Sequence, residues 1–366
     1  MAELRIIITG GGTGGHLFPA LAIGEEIKNR DSNAIIHFVG SKFGLESKVF
    51  PIKDVLHTLI PMRGIQRTIN LNNLKKNILL PYYILLSILR IQSLIKTFSP
   101  QVIIGTGGYA SAIPIFVGLR KKKSPIIILQ EQNSYPGLTN RLFSKKANFT
   151  CTAFLEADKY LKSKTILTGN PIRKGIELGN YSRALKFFNF QKNRKTIFLF
   201  GGSQGSSFLN KIMNKVIPQL SNKNIQVIWQ TGENEYHKYN NKITNMVNIV
   251  PFIHNMADAY SIADLIISRS GALTLAEITV CKKPAILIPL PSSAADHQLK
   301  NAKVLERKGA AIIIQEKEMK INYFLETILK LLKNKTKLQK MKEASESLGN
   351  PNSTNEIVDN IMRELK

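Results

Sequence analysis

Four short runs rich in Ile, Val and Phe each end in a glycine-bearing turn: RIIITGGGTGG (5–15), QVIIGTGG (101–108), TIFLFGGSQGS (196–206) and DLIISRSGA (264–272). Runs that are apolar at nearly every position suit strands covered on both faces, which is the situation of a parallel sheet. Glycine at the end of such a strand lets the chain turn sharply into a helix, whose N-terminal amides attract anions. Longer amphipathic stretches separate the runs, so the chain is confined to an α/β class. The turns at Gly10 and Gly105 are echoed at Gly201 and Gly271, as if one plan were used twice. The expected fold is therefore two doubly wound, Rossmann-like domains facing across a cleft, with ligands at the carboxyl ends of the strands. A length of 366 residues suffices for both.

The first domain is expected over 1–167 and the second over 168–351. Between them TGNPIRKGIELGNYSRALKFFNFQKNRKT (168–196) reads as a linker and the first helix of the second half. The closing stretch NSTNEIVDNIMREL follows Gly349-Asn350-Pro351, and a helix at about 352–366 is expected to pack back onto the first domain.

Charge is the unusual part of the composition. Fifty-one basic residues against 25 acidic leave a net +26, which suits a polyanionic partner, either nucleic acid or an anionic membrane surface. The lysines are scattered through a chain crowded with Asn and Ile, so biased residue usage explains the excess equally well. Cys151 and Cys281 lie far apart with no CxxC or Cys/His cluster. That fits a reducing compartment and argues against structural zinc or a disulfide framework. The start, MAELR, carries an acid and no long apolar core, unlike a signal peptide. No uncharged apolar stretch reaches the roughly 18–20 residues that span a bilayer. NILLPYYILLSIL (77–89), between Lys75-Lys76 and Arg90, instead reads as an interfacial patch or as a core helix interrupted by Pro81. Arg120 to Lys123 would add attraction to an anionic surface.

The first turn satisfies GxGxxG, but a dinucleotide site also needs an acid at the end of the second strand. Here AIIHFVG ends in Gly40-Ser41, and the next acid, Glu46, lies beyond a further turn. No Walker lysine is present either. What remains is a backbone-lined anion site at a helix N-terminus. The third turn makes a second one, with Ser203 and Gln204 as donors. In the fourth, Glu277 follows Thr274 by three residues. That spacing is a capping box, or else Glu277 accepts the two hydroxyls of a ribose.

GGGTGGH, GTGGYAS (105–111), EQNSYPGLTNR (131–141), GNPIR (169–173), GGSQGS, PFI (251–253), SGALTLAE and ADHQLKNA (295–302) occur in this order. Together they resemble the MurG family of bacterial N-acetylglucosaminyltransferases, from residue 10 to 302. The resemblance implies a GT-B fold and inverting transfer of N-acetylglucosamine from UDP-N-acetylglucosamine to the muramyl sugar of the undecaprenyl-diphosphate-linked peptidoglycan precursor. It implies roles in cell-wall biogenesis, cell shape and division, a peripheral place on the cytoplasmic face of the inner membrane, and other cell-wall synthesis proteins as partners. The peptidoglycan reading stands against a related transferase that glycosylates diacylglycerol, and against a basic nucleic-acid-binding protein.

Residue by residue, the resemblance makes His16 the general base and puts Thr13, Gly14, Gly15, Gly107, Gly108 and Tyr109 on the acceptor diphosphate. Glu277 falls at the donor ribose, with Ala272, Leu273 and Thr274 beside it. Ser203 falls at the nucleotide phosphates; Phe252, Ile253 through its backbone, and Arg173 at the uracil. Asn133, His297 and Gln298 fall where the sugar hydroxyls are read. Neither a metal nor a cofactor is expected: Asp-x-Asp is missing, and Glu156-Ala157-Asp158 reads as acids in a helix's first turn. Gln130 stands where the family usually has His. Lys282 stands where it usually has Gly, which costs about 1 kcal/mol if φ there is positive.

Overall fold

Ile6, Ile7 and Ile8 are all fully buried, yet they serve two different cores. Ile6 and Ile8 pack with Leu17, Ile23 and Ile27, while Ile7 packs on the opposite face with Ile91, Ile95, Ile113 and Ile115. That is the period-2 alternation of a strand with helices on both sides, and it explains why the run is apolar throughout. The computed structural model describes residues 3–64, 74 and 77–365.

The chain divides into two compact units, Met1–Pro171 together with Asn352–Lys366, and Ile172–Pro351. The first holds a seven-stranded parallel sheet of β1 (Arg5–Thr9), β2 (Ile35–Ser41), β3 (His57–Ile60), β4 (Val102–Gly105), β5 (Ile126–Glu131), β6 (Phe149–Thr152) and β7 (Lys164–Leu167). Their order is β3-β2-β1-β4-β5-β6-β7. The second holds β8 (Thr196–Phe200), β9 (Gln226–Gln230), β10 (Val247–Val250), β11 (Leu265–Ser268), β12 (Ala285–Leu287) and β13 (Ala311–Ile313), ordered β10-β9-β8-β11-β12-β13. All pairings are parallel.

Both sheets reverse their winding at one place, between β1 and β4 and between β8 and β11. Thr9 lies opposite Gly105, and Phe200 opposite Ser268, so each pair of strands ends level. The four glycine turns are the four chain segments leaving these strands. They flank the two topological switch points, where open α/β sheets hold ligands.

The first unit ends at Pro171 rather than at 167 because the segment after β7 stays tied to β5 and β6. Thr168 and Gly169 donate to the Thr152 carbonyl, and the Asn170 side chain donates to the Gln132 carbonyl. The helix Ser353–Glu364 belongs to the same unit. Its Ile357, Val358 and Ile361 join the core beside Ile23 and Ile27, and its Asp359 pairs with Arg30.

The 77–89 stretch divides. A helix runs Leu80–Phe98 with Pro81 in its first turn, where a missing N–H is harmless. Ser87, Ile91 and Ile95 face the sheet, whereas Ile78, Leu79, Tyr82, Leu85, Leu86 and Leu89 are exposed. Ile84 and Ile88 pack against the core. The stretch is therefore apolar on both sides for two different reasons. Lys75 and Lys76, its expected basic flank, lie outside the described residues. No described helix is long and apolar enough to cross a membrane. Arg120 to Lys123 follow the helix Tyr109–Leu119 and precede β5, at the end of the sheet opposite the glycine turns. Both cysteines are free, and burial pushes each thiol up to about 12.

Candidate active site

The first glycine turn is crowded by its own protein before any ligand arrives. A Cβ at Gly10 would lie 1.8 Å from Thr106 Oγ1, one at Gly11 1.5 Å from Glu46 Oε1, and one at Gly12 2.7 Å from the Tyr109 ring. Glu46 is fully buried, and its Oε1 accepts the amides of Gly12 (2.7 Å) and Ser41 (3.2 Å). The acid absent from the strand end is thus inside the fold, bracing the turn rather than facing a ribose. Gly15 differs from its neighbours: a Cβ there meets only Thr13 Oγ1, at 3.6 Å. Here the backbone is open to the outside.

Two helix N-termini converge at this switch point. The helix Gly14–Arg30 opens after Thr13, and Tyr109–Leu119 opens after Gly108, neither with a side-chain cap. The turns are bonded to one another, Gly11 N donating to the Gly107 carbonyl at 3.3 Å. Gly108 (φ 79°) admits no side chain, since its Cβ would sit 2.1 Å from the Gly11 carbonyl oxygen. Thr13, Gly14, Gly15, Gly107, Gly108, Tyr109 and His16 are accordingly assembled in one place.

His16 lies over the second turn. Its Nδ1 is 2.9 Å from the Thr106 carbonyl and 3.1 Å from Gln132 Oε1. Both oxygens only accept, so in the neutral ring Nδ1 carries the proton and Nε2 carries the lone pair. Asn133 is in the same unit, its amide and side chain both donating to Glu131 Oε1. The buried Glu131 carboxylate also takes Gly137 N and Asn140 Nδ2, and so shapes the loop after β5. The sequence reading named Asn133 but missed Glu131 and Gln132, although the same motif spells all three.

The remaining candidates belong to the second unit. Glu277 sits in the helix Ala272–Val280, which starts after Gly271 with no side-chain cap. Thr274 is already inside the helix, so the capping-box alternative fails. Glu277 Oε2 accepts from the Tyr260 hydroxyl at 3.2 Å, and Arg173 Nε stands 3.6 Å from Oε1. Burial raises the Glu277 carboxyl above its usual range, against the opposing pull of Arg173 and Tyr260. Burial and the Glu277 charge hold Tyr260 well above its ordinary value. This is a nearly enclosed carboxylate with acceptor capacity to spare.

In the third turn Ser206, not Ser203, caps the helix Ser207–Asn222 by accepting Leu209 N. Ser203 and Gln204 stay exposed beside that N-terminus. Buried Arg269, missed in the sequence, donates to Ser206 Oγ and to the Ile288 and Pro289 carbonyls and pairs with Glu316. A cation is thereby held behind the turn. Gln230 links the turn to Ile253, donating to the Gly202 carbonyl and accepting Ile253 N. The Ile253 amide is therefore engaged, and its carbonyl is the backbone group left for a base. Phe252 meets His254 edge to face at 5.1 Å.

His297 and Gln298 open the helix His297–Arg307. Ser270 Oγ donates to the Gln298 carbonyl, and Gln298 Oε1 accepts Leu290 N, which ties this segment to the fourth turn. Just before it, Ala295 (φ 50°) and Asp296 (φ 54°) are both left-handed without being glycine. Two such residues in succession are strained, and strain of this kind gathers at ligand sites. Lys282 has φ 57°, the conformation that the family's glycine at this place suggested.

Residues 6–152 match the N-terminal domain of glycosyltransferase family 28, and 196–360 its C-terminal domain. A Flavobacterium psychrophilum protein named UDP-N-acetylglucosamine–N-acetylmuramyl-(pentapeptide) pyrophosphoryl-undecaprenol N-acetylglucosamine transferase is 38% identical over 99% of this chain and 98% of its own. A Halalkalibacterium halodurans protein of the same name is 36% identical over 97% and 98%. The crystal structure of Acinetobacter baumannii MurG superposes with a TM-score of 0.77 at 26% identity, covering 98% of this chain and 99% of that one.

Proposed function

The chain belongs to the MurG family, within glycosyltransferase family 28, and from that premise we propose how its residues divide the work of the reaction. It is a glycosyltransferase that moves N-acetylglucosamine from UDP-N-acetylglucosamine to the muramyl sugar of the undecaprenyl-diphosphate-linked peptidoglycan precursor. The first unit takes the lipid acceptor and the second takes the nucleotide sugar.

One observation carries this reading: the Nδ1 proton of His16 is committed to the Thr106 carbonyl, beside two uncapped helix N-termini. The helix ends and the open backbone at Gly15 receive the acceptor's diphosphate. Nε2 then takes the proton of the attacking sugar hydroxyl. As that oxygen bonds to the anomeric carbon, the bond from this carbon to the UDP oxygen breaks, and the configuration inverts. The electrons depart with UDP. Its charge is met by the N-terminus of the helix Ser207–Asn222 and by Ser203, while Arg269, paired with Glu316, holds Ser206 behind the turn. Glu277 accepts the ribose hydroxyls, and the Gln298 amide NH2 donates to the sugar. The step uses protein dipoles, with no metal ion in it.

The exposed row Ile78, Leu79, Tyr82, Leu85 and Leu89 starts at the glycine-turn end of its sheet. There it rests on the cytoplasmic face of the membrane and keeps the acceptor diphosphate within reach of the first turn. The net charge of +26 favours that anionic surface.

The test is transfer of radiolabelled sugar from UDP-N-acetylglucosamine to a lipid-linked muramyl peptide, with diacylglycerol as the competing acceptor. Label in the muramyl lipid alone is expected. Label in diacylglycerol alone would overturn the assignment of the acceptor.

A further inference from the structure

His16 is the last member of a chain of buried amides that runs in one direction. Gln130, Gln132 and Asn170 are each at most 4% exposed. Asn170 Nδ2 donates to the Gln132 carbonyl at 3.0 Å, which leaves Asn170 Oδ1 to accept Gln130 Nε2 at 3.2 Å. Gln130 Oε1 then accepts Gln132 Nε2, and the same nitrogen donates to the Thr106 carbonyl at 2.7 Å. Gln132 Oε1 is thereby turned towards His16 Nδ1. Reversing any one amide would set oxygen against oxygen along the whole chain, ending on backbone carbonyls that can only accept. The far end is fixed too, because the Ser353 hydroxyl donates to the Asn170 carbonyl at 2.5 Å.

We propose that Gln132 is a positioning residue for His16, locked in one amide orientation by Gln130 and Asn170. It has two effects, and both rest on the reading of His16 as the base. The Nδ1 lone pair would face two oxygens, so the tautomer with its proton on Nε2 is disfavoured. When Nε2 takes up the substrate proton, the Nδ1–H becomes a stronger donor, and its two acceptors stabilise the imidazolium. A neutral amide here does part of what a carboxylate does behind a catalytic histidine, without burying a charge. The other ionisable groups on the elements packed around the ring are Glu131, spent on Asn133, Gly137 and Asn140, and Tyr109, whose ring lies against Gly12. On its own helix no ionisable residue follows His16 before Glu25.

The experiment uses the full chain labelled with 15N-histidine, with His16→Gln to assign the His16 resonances. In Gln132→Met the His16 15N shifts should show the tautomer protonated on Nε2 gaining ground, because Nδ1 has lost one of the two oxygens that hold its proton. Turnover should fall about tenfold, while the acceptor KM and UDP affinity stay as in the parent. Gln130→Met leaves Gln132 held by the Thr106 carbonyl alone, and should move both readouts in the same direction by less. If Gln132→Met fails to fold, Gln130→Met decides. A His16 tautomer balance and turnover equal to the parent's overturn the proposal. A shifted tautomer balance with unchanged turnover, together with an active His16→Gln, leaves the amide chain standing and overturns His16 as the base.

Discussion

The Glu46 carboxylate accepts the Gly12 amide at 2.7 Å from the space that a side chain on Gly11 would have to occupy. The glycines of the first turn therefore divide into two sets. Gly10, Gly11 and Gly12 make room for Thr106, Glu46 and Tyr109, whereas Gly15 faces open space. Glu46→Leu should destabilise the protein by about 2–4 kcal/mol, because two buried amides lose their acceptor. Gly15→Ala should leave stability within about 1 kcal/mol of the parent, since Ala is the better helix former. It should nevertheless impair saturation by the lipid acceptor. Denaturant melts beside acceptor kinetics separate the two; a Gly15→Ala enzyme with normal acceptor kinetics would close that part of the turn to ligands.

Glu277 meets Tyr260 and Arg173, and in the proposed arrangement its loss is felt at the donor. Glu277→Ala should raise the KM for UDP-N-acetylglucosamine about 10–150-fold, the effect of roughly 1.5–3 kcal/mol of charge-assisted hydrogen bonding. The acceptor KM should not change. A folded variant with parental donor affinity would leave the carboxylate with no role beyond its contacts to Tyr260 and Arg173.

The class of fold was open to reading because the strands and their glycine turns are local signals, and each turn carries its own apolar run. Glu46, Gln132 and Arg269 were not open in that way. Their partners lie 34 residues from Glu46, 116 from Gln132 and 63 from Arg269, and only the closed sheets bring them together. Thr274 and Glu277 misled for the converse reason. Their spacing fits a capping box, but the helix begins two residues before Thr274, which no local pattern in SGALTLAE marks. Lys282 was legible through the glycine it replaces. Its left-handed backbone follows directly on the end of the Ala272–Val280 helix, where a glycine is the usual stop.

His37 gives the first unit a pH limit. Burial and, less strongly, the neighbouring His57 push its ring down to about 4 from an ordinary value of 6.5. The unfolded chain thus takes up a proton that the folded chain refuses. This contribution to stability is complete above about pH 6.5 and is lost as the pH falls towards 4. His37→Leu should flatten that part of the pH–stability curve. Denaturant midpoints measured from pH 7 down to 4 would show it, and parallel curves for parent and variant would refute it.

Leu79, Leu85 and Leu89 are exposed, whereas Ile84 is partly buried against the core. Changing the three leucines to Ser should weaken sedimentation with anionic vesicles at least several-fold, without altering UDP affinity or the melting temperature. Ile84→Ser should instead lower stability, by about 2–4 kcal/mol on the scale of large-to-small core changes. Undiminished vesicle binding by the triple variant would move the membrane contact elsewhere on the surface.

The last prediction concerns His16 itself. Its Nδ1 proton is held by the Thr106 carbonyl, and that carbonyl lies in the turn whose Gly107 packs against the same ring. Thr106, Gly107 and Gln132, which hold the ring, are all in the first unit, while Glu277, Ser203 and Gln298 belong to the second. Removing the imidazole should therefore reach the chemical step and leave the nucleotide untouched. His16→Ala should lower kcat by about two to four decades, the usual contribution of a positioned general base. UDP binding by calorimetry should match the parent, and the acceptor KM should change little, because in the proposed arrangement backbone amides hold the diphosphate. A base also leaves a kinetic mark that a purely structural side chain does not. Added imidazole should restore part of the turnover of His16→Ala and leave the parent's unchanged. Absence of that rescue would assign the proton to another group. Loss of UDP affinity in the same variant would place the nucleotide at the first turn and reverse the roles of the two units.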